Sequence, residues 1–301
     1  MQTPLVPKSC LLPLAAGIAA LLAAGCDSAS SPDAVSPAPL WELAGFENPE
    51  SAFPDAEAGV IYVSNVAGTP TGKDGNGSIS KVSLDGRMVA QKWVTGLDAP
   101  KGLALLGGKL YAADIDRLVE IDTKDGKVLA RYDAAGAKFL NDVAADSAGN
   151  VYVSDMATNT IWRLSGGKLE AWLASEALLN PNGLLVQGDT LVVAAWGRMT
   201  DGFATKVPGH LLAVSLADKS VKPLGSATPV GNLDGLEPLD KDTFLVSDWM
   251  NGKVFKIARS GEAKEILSLG QGAADLGYDA ASKTAFIPQM KEGRLSAYRV
   301  E

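Results

Sequence analysis

A repeated pattern of short apolar runs constrains the fold of this chain more than any other feature of its sequence. From residue 40 onward, β-like runs alternate with turns rich in Gly, Asp, Asn and Lys, and almost nothing has helical periodicity. The runs recur in units of four, and the second run of each unit lies at residues 61–65, 110–114, 151–155, 191–196, 244–248 and 285–289. A period of about 40 to 50 residues is typical of propeller blades. The sequence therefore predicts an all-β fold, a six-bladed β-propeller of four-stranded antiparallel blades.

The two ends of this repeat are predicted to share one blade. The sixth unit lacks a clear fourth run before Glu301, whereas residues 40–46 form an extra run ahead of the first unit. Residues 41–43 also parallel residues 171–173, in the third unit. We therefore expect an N-terminal strand to complete the last blade, which closes the ring and removes an exposed sheet edge. The propeller domain is predicted to span residues 39–301.

A polar position recurs where the first run of each unit begins. Aligning the units brings into register Glu50, Lys101, Asn141, Asn182, Asp234 and Asp275. The innermost strands of a propeller start at its central channel, so these side chains are expected to meet at the channel mouth. Carboxylate and amide oxygens suit a hard divalent cation, without which the carboxylates would repel one another. The alternative is that Asn, Asp and Gly only form the turn at each position, but recurrence in six units favours a site.

Four of these positions resemble the senescence marker protein/gluconolactonase propellers, the family that includes regucalcin. The matching strings are Pro-Glu50-Ser, Phe-Leu-Asn141-Asp, Pro-Asn182-Gly and Leu-Asp234-Gly, in the same order and the same blades. The resemblance extends over residues 40–301. It implies that Glu50, Asn182 and Asp234 hold one divalent cation, with Asn141 beside the metal and the substrate, and that Asp234 is the catalytic base. The implied activity is hydrolysis of lactones and some esters.

Calcium is the expected cation, with magnesium, manganese and zinc as alternatives. A bound cation would polarise a lactone carbonyl and lower the pKa of a coordinated water, whose proton a nearby carboxylate can accept. Lys101 departs from this pattern, because it can stabilise an oxyanion or compete with the metal. We expect Asp275 and Trp196, together with Asn141, to contact the substrate.

An inserted loop, residues 196–210, explains the longer spacing of the fourth unit. Long loops in compact domains are often lids or binding loops, so this one is expected either to cover the channel mouth or to be a surface loop with a buried Trp196. The loop ends at His210, the only histidine, which we interpret as structural. A zinc site of several histidines is therefore excluded.

Three acidic residues at the ends of second runs are also interpreted as structural. Asp114, Asp155 and Asp248 recur at equivalent places, and what recurs in every repeat usually serves the repeat. We expect their carboxylates to stabilise turns.

The overall charge argues against binding to nucleic acid. The formal net charge is −8, and no run of clustered Lys and Arg occurs. A small-molecule substrate is the better partner. The only cysteines, Cys10 and Cys26, lie ahead of the repeat, so no disulfide framework supports the fold.

The N-terminus resembles the signal of a bacterial lipoprotein. Lys8 precedes an apolar stretch at residues 11–24, and small residues stand directly before Cys26. We expect residues 1–25 to be a signal peptide, Cys26 to be lipidated and residues 26–38 to be a flexible tether. Asp27 resembles a signal for retention on the inner membrane. The predicted location is the periplasmic face of the cell envelope, with membrane contact through the lipid anchor only.

Two hypotheses about function follow from these features. The first is a monomeric, divalent-metal-dependent hydrolase of the lactonase or esterase type, acting on a small molecule at the channel mouth. The second is a non-catalytic propeller that binds a ligand or protein partner in the cell envelope, because propellers host many functions. Lys101 and the inserted loop keep the second hypothesis open.

Overall fold

The computed structural model describes residues 37–202 and 207–301 and shows six four-stranded sheets arranged as a β-propeller. Neighbouring strands within each sheet are antiparallel, as predicted. The predicted signal peptide, Cys26 and most of the tether lie outside the described residues. Within the described part of the chain, no helix is long and apolar enough to cross a membrane.

The first half of the chain supplies three whole blades and one strand of another. The lone strand is β1 (Trp41–Ala44). Blade one contains β2 (Pro49–Asp55), β3 (Val60–Asn65), β4 (Gly77–Ser83) and β5 (Met88–Leu97). Blade two contains β6 (Pro100–Leu106), β7 (Lys109–Asp114), β8 (Arg117–Asp122) and β9 (Val128–Asp133). Blade three contains β10 (Leu140–Ala145), β11 (Val151–Asp155), β12 (Thr160–Ser165) and β13 (Lys168–Ala174).

The second half repeats this arrangement after a short 3₁₀ helix, Glu176–Leu178. Blade four contains β14 (Pro181–Gln187), β15 (Thr190–Ala195), β16 (Leu211–Ser215) and β17 (Val221–Pro223). Blade five contains β18 (Leu233–Pro238), β19 (Thr243–Asp248), β20 (Lys253–Ala258) and β21 (Ala263–Ser268). Blade six contains β22 (Gly277–Asp279), β23 (Thr284–Gln289) and β24 (Arg294–Arg299), with β1 as its outer strand.

The ring closes as the sequence predicts. Strand β1 pairs with β24 in the order β1-β24-β23-β22, with Trp41 opposite Ala297 and Leu43 opposite Leu295. The Trp41 ring packs 5.9 Å from the ring of Phe286 on β23, measured between centroids. Pairing of β1 with β24 gives the sixth blade its fourth strand and closes the ring of blades.

The apolar core lies between blades. One cluster joins Tyr62 and Ile79 of blade one to Leu110 and Val119 of blade two, and similar clusters join the other neighbouring blades. Burying apolar side chains between sheets is the main stabilising contribution in such a stack. Packing of each blade against its neighbours holds the six innermost strands around one axis.

The acidic residues that end second strands stabilise the turns of their blades, as predicted. Asp114 accepts hydrogen bonds from the backbone N–H groups of Asp98 and Ala99, just before β6. Asp155 and Asp248 accept equivalent bonds just before β10 and β18. These carboxylates therefore fix the start of three innermost strands, where the channel mouth lies.

Candidate active site at the channel mouth

Five of the six aligned side chains line one cavity at the channel mouth. They belong to the starts of the innermost strands and are Glu50, Lys101, Asn141, Asn182 and Asp234. Each is at most 6% exposed, and the cavity they share encloses about 150 Å³. We call these five residues the polar ring. Blade repetition alone brings them together, because they are separated along the chain by 40 or more residues.

A β-bulge aims each of these side chains into the channel. In blade one, Pro49 pairs with Asn65 and Ala52 with Val63, so two residues of β2 stand opposite one residue of β3. The same irregularity occurs at the starts of β6, β10, β14 and β18. The hydroxyl of Ser64 accepts the extra backbone N–H, from Ser51, at 2.9 Å. Bulges of this kind re-aim side chains and are common beside functional sites.

The alignment of the sixth unit is wrong by one residue. Ala273 forms the bridge to Gln289 that Pro49 forms to Asn65 in blade one. The ring position of blade six is therefore Ala274, and Asp275 is the next residue along. Strand β22 begins only at Gly277, so the sequence offered no regular strand from which to count.

Asp275 does not line the mouth cavity. It lines a second cavity of about 190 Å³ farther along the channel, together with Ser51, Asp142 and Glu237. The hydroxyl of Ser51 donates a 2.5 Å hydrogen bond to the Asp275 carboxylate. We call Asp142, Glu237 and Asp275 the channel acids. The predicted contact of Asp275 with substrate stays a prediction, and it would have to be made from this deeper position.

Glycines follow three ring residues because neighbouring innermost strands approach too closely for a side chain. A Cβ on Gly183 would lie 2.1 Å from the carbonyl oxygen of Asp234, and one on Gly235 would lie 2.3 Å from the nitrogen of Leu276. Neither glycine has a positive φ. Close approach around the channel therefore accounts for the pairs Asn182-Gly183 and Asp234-Gly235, whereas the Asp-Gly and Asn-Gly pairs of the hairpin turns have glycines of positive φ.

We expect Gly183→Ala to disturb the site from a position outside it. The added methyl must displace the Asp234 backbone, which should lower the melting temperature and weaken any cation-dependent stabilisation. Thermal unfolding with and without calcium measures both effects. Gly188→Ala, in the turn after β14, is the control for a destabilising substitution away from the site: its φ of +59° strains an alanine, but a Cβ there meets nothing within 4 Å. Equal calcium responses in the two variants would contradict the expectation.

The polar ring holds two buried oxygens that have no partner. Glu50 Oε2 and Asn182 Oδ1 make no hydrogen bond. Burial raises the pKa of Glu50 well above its usual value, and the charges of Asp234 and Asp275 raise it further while Lys101 opposes them. Burial also raises the pKa of Asp234, followed by the charge of Asp275. Unpaired oxygens and mutually repelling carboxylates are what a cation would satisfy.

The donor set fits a hard divalent cation through carboxylates and amides together. Within residues 37–202 and 207–301, no three His, Cys, Asp or Glu side chains stand together in a way that could hold a metal ion. The available donors at the mouth are the carboxylates of Glu50 and Asp234 and the amides of Asn182 and Asn141. Such a mixed oxygen set is typical of calcium or magnesium and is unlike the nitrogen and sulfur sets of zinc.

Among the residues that the structure describes, Lys101 is the one cation that lines this cavity. Its ammonium donates a 2.9 Å hydrogen bond to the carbonyl of Ala99 and lies 4.6 Å from the centroid of the Phe139 ring. Burial lowers its pKa to about 8, an effect that the charges of Glu50 and Asp114 oppose. The side chain is only 1% exposed, so its remaining donors face the protein interior and the cavity.

A second ring of side chains surrounds the polar ring, and Trp196 is its only member that was predicted from the sequence to lie at the site. Its members directly follow the second strand of each blade, and they are Val66, Ile115, Met156, Trp196, Trp249 and Met290. All six are apolar, and all except Ile115 line the mouth cavity. We call them the apolar rim. Counting one residue past each second run would have revealed it, because six apolar residues at one repeat position are a clear pattern.

The inserted loop begins on this rim and is anchored there. Trp196 is buried in a cluster with Phe139 and Met156. The side-chain amide of Asn232 donates to the carbonyls of Trp196 and Val207, at 2.8 Å and 3.0 Å. Residues 203–206 lie outside the described part of the chain, and the proposed lid therefore stays a prediction. His210, at the end of the loop, is not among the residues that line the mouth cavity.

The channel acids predict how stability depends on pH. Burial raises the pKa of all three, of Asp275 to about 7, and the charge of Asp275 adds to the effect on Asp142 and Glu237. Between about pH 4 and pH 7 the folded protein therefore binds more protons than the unfolded chain, so stability falls as pH rises. Glu50 and Asp234 contribute in the same direction.

We expect the metal-free protein to melt several degrees lower at pH 7.5 than at pH 5. Each kcal/mol corresponds to about 2–4 °C in a protein of this size. Asp275→Asn removes one of these carboxyl groups and should flatten the dependence, whereas the exposed Asp133→Asn should not. Calorimetry in chelator across this range tests the expectation, and a melting temperature that rises with pH would refute it.

Comparisons with known proteins establish the fold class. No family model matches the chain, and no curated protein matches it. A gluconolactonase from Xanthomonas campestris shares 18% identity over 86% of this chain and 87% of that chain, with a TM-score of 0.63. A streptogramin B lyase shares 13% over 85% and 96%, with a TM-score of 0.59.

A third solved structure of this kind is a catalytically inactive histidine-to-alanine variant of virginiamycin B lyase from Staphylococcus aureus with quinupristin. It shares 13% identity over 87% of this chain and 99% of that chain, with a TM-score of 0.57. At such identities the likeness shows a common propeller fold, and one fold hosts many activities.

Proposed function

We propose that this protein is a hydrolase of the lactonase or esterase type that uses a divalent cation at the channel mouth. The observation that carries the proposal is the pair of buried, unpartnered oxygens, Glu50 Oε2 and Asn182 Oδ1, which line the same cavity as the Asp234 carboxylate. Buried polar atoms without partners are rare in folded proteins and call for an unseen ligand or ion. The cavity is concave and mostly apolar with a few convergent polar groups, as small-molecule sites are.

Glu50, Asn182 and Asp234 would hold the cation, with Asn141 as a further ligand or a contact to substrate. When bound, the cation would polarise the substrate carbonyl and make a water molecule more acidic. Asp234 would accept the proton of the attacking water. The water oxygen then bonds to the carbonyl carbon, the acyl–oxygen bond breaks, and the proton passes to the leaving alkoxide to give a hydroxy acid.

Lys101 is suited to stabilise the negative charge that develops on the carbonyl oxygen. Its ammonium lies in the cavity wall and is fixed by the carbonyl of Ala99 and the ring of Phe139. A donor fixed before the reaction needs no reorganisation, and such donors contribute about 2.7–4 kcal/mol to acyl transfer. We assign this role to Lys101 because of the position of its ammonium, and the bound cation would also stabilise the same negative charge.

The geometry favours a hydrolase over a lyase like the two lyase neighbours. One of those structures is a catalytically inactive variant in which a histidine is replaced by alanine. The only histidine here, His210, is absent from the cavity lining, and the gluconolactonase is the neighbour with the higher identity of the two kinds. The polar ring therefore supplies the chemistry with carboxylates, amides and a lysine.

Metal analysis and hydrolysis assays on the purified protein test this proposal. We expect about one equivalent of a divalent cation after equilibration with calcium, a cation-dependent rise in melting temperature, and release of acid from lactones. A cation without hydrolysis of any lactone or ester would favour the non-catalytic binding propeller. The absence of both a bound cation and hydrolysis would refute the proposal.

We also propose that the protein is an exported lipoprotein tethered through Cys26. The support is the sequence of residues 8–26, with its apolar stretch and the small residues directly before the cysteine. Mass spectrometry of the N-terminal peptide from expressed protein should show loss of residues 1–25 and an acylated Cys26. Cys26→Ala should leave the protein unacylated, and acylation that persists in this variant would refute the assignment.

A further inference from the structure

The mouth cavity has a polar layer, formed by the polar ring, and an apolar layer, and this division restricts which substrates can bind. Every polar residue that lines the cavity belongs to the polar ring, and the other lining residues are Val66, Pro70, Phe139, Met156, Trp196, Trp249 and Met290. This holds for the part of the chain that the structure describes, which omits residues 203–206. A substrate whose reacting carbonyl meets the polar ring must therefore place the rest of its body against apolar side chains.

The apolar rim includes two tryptophans that form one wall. The rings of Trp196 and Trp249 lie 6.2 Å apart between centroids at an angle of 45°. Trp249 is half-buried, whereas Trp196 is only 4% exposed. Aromatic side chains provide large apolar contact areas, and contact with an alkyl or aryl group here would remove exposed apolar surface from water.

The rim offers few partners for hydroxyl groups. Its side-chain hydrogen-bond donors are the two indole Nε1 groups of Trp196 and Trp249, of which that of Trp196 is buried without a partner, and the residues that line the cavity outside the polar ring carry no side-chain oxygen. A polyhydroxylated substrate would lose its hydrogen bonds to water on entering such a layer, and each unpaired hydroxyl is costly to bury. A single carbonyl or ring oxygen could use the Trp196 donor.

We infer that the substrate is a small lactone or ester with an apolar alkyl or aryl substituent, in preference to a sugar lactone. The inference rests on the proposed hydrolase function for its chemistry, but the recognition comes from the rim. The cavity encloses about 150 Å³, below the roughly 300–1,000 Å³ of sites for drug-sized ligands. A single ring therefore fits inside, and its substituent extends along the tryptophan wall.

Three lactones with the same six-membered ring test this inference. The series is δ-decalactone with a pentyl substituent, unsubstituted δ-valerolactone, and glucono-δ-lactone with its hydroxyl groups. We expect kcat/KM on the purified full-length protein to be at least tenfold higher for δ-decalactone than for either of the others. A gluconolactone preference would overturn the inference and leave the hydrolase function standing.

A tryptophan variant tests whether the apolar rim causes the preference for δ-decalactone. Trp249→Ala should lower the ratio of kcat/KM for δ-decalactone to that for δ-valerolactone at least fivefold. Trp93→Ala is the matched control, because Trp93 is also half-buried but packs against Tyr62 and Lys81 and does not line the mouth cavity. An unchanged ratio in Trp249→Ala would overturn the assignment to the rim.

Binding of an unreactive analogue separates recognition from chemistry. In 3-pentylcyclohexanone a CH2 group replaces the ring oxygen of δ-decalactone, so the ring, the carbonyl and the position of the pentyl group are kept but there is no ester bond to hydrolyse. We expect calorimetry to show that the wild-type protein binds this ketone and that Trp249→Ala binds it at least fivefold more weakly. That result would support the inference even if no lactone is hydrolysed. In that case only the proposed function fails. No binding of the ketone together with no δ-decalactone preference would overturn the inference.

Discussion

Asp234→Ala is expected to abolish the cation-dependent stabilisation of the protein and to lower kcat/KM for lactones by about 10³-fold or more. The carboxylate lines the mouth cavity and is 4% exposed. Under the proposed function it is both a ligand and the acceptor of the water proton, so its removal takes away two interactions at once. Loss of a general base alone costs about 10²–10⁴-fold.

Stability should change in the opposite direction in the metal-free protein. Burial and the charge of Asp275 raise the pKa of Asp234, so its ionised form is unfavourable when no cation is present. We therefore expect Asp234→Ala to melt at or above the wild-type temperature in chelator and below it in calcium. Differential scanning calorimetry in both conditions, with metal content by elemental analysis, measures this crossing.

Asp142→Asn is the matched control for this prediction. Asp142 is another buried channel carboxylate with a raised pKa, but it does not line the mouth cavity. Its Oδ1 and Oδ2 accept the backbone N–H groups of Val143 and Leu184. We expect the control to keep the calcium response. A calcium response that survives in Asp234→Ala would show that the cation binds elsewhere.

Lys101→Met is expected to have two effects of opposite sign. Removing the ammonium should tighten the binding of a divalent cation about tenfold or more. The positive charge of Lys101 repels the cation, and this repulsion is strong in a site of low dielectric constant. The same change should lower kcat about 10²–10³-fold if Lys101 stabilises the oxyanion. Methionine retains most of the side-chain volume, so contact with the Phe139 ring is kept.

These two effects separate the two roles that the sequence leaves open. Calcium titration by calorimetry gives the affinity, and lactone hydrolysis at saturating calcium gives kcat. If Lys101 only competed with the metal, the affinity for calcium would rise in the variant and kcat would stay level or rise. Lys138→Met, an exposed lysine one residue before Phe139, is the control and should change neither quantity.

The repeat allowed the fold to be predicted because it depends on local chemistry. Alternating apolar residues, turn residues of the Asp-Gly and Asn-Gly type, and a fixed order of four runs specify a blade wherever they occur. The closing strand was also predictable, since residues 41–43 repeat the pattern of residues 171–173. Five ring residues followed from the repeat, because equivalent positions in a ring of blades must converge.

The ring position of the sixth blade could not be predicted from the repeat. Register in a β-sheet is decided by pairing with the neighbouring strand, and a shift of one residue turns a side chain to another place. Ala273 pairs with Gln289, which puts Ala274 in the ring and turns Asp275 toward Ser51. No local pattern around residue 275 records this pairing, because the regular strand starts later.

The sequence by itself determined the number of blades, the way the ring closes and the residue types at the channel mouth, because each depends on short-range pattern repeated along the chain. Tertiary structure alone decided which oxygens are buried without partners, how far the acids raise one another's pKa, and that an apolar rim surrounds the polar ring. Those properties arise from distances between residues of different blades. They exist only once packing between blades has placed the innermost strands around a common axis.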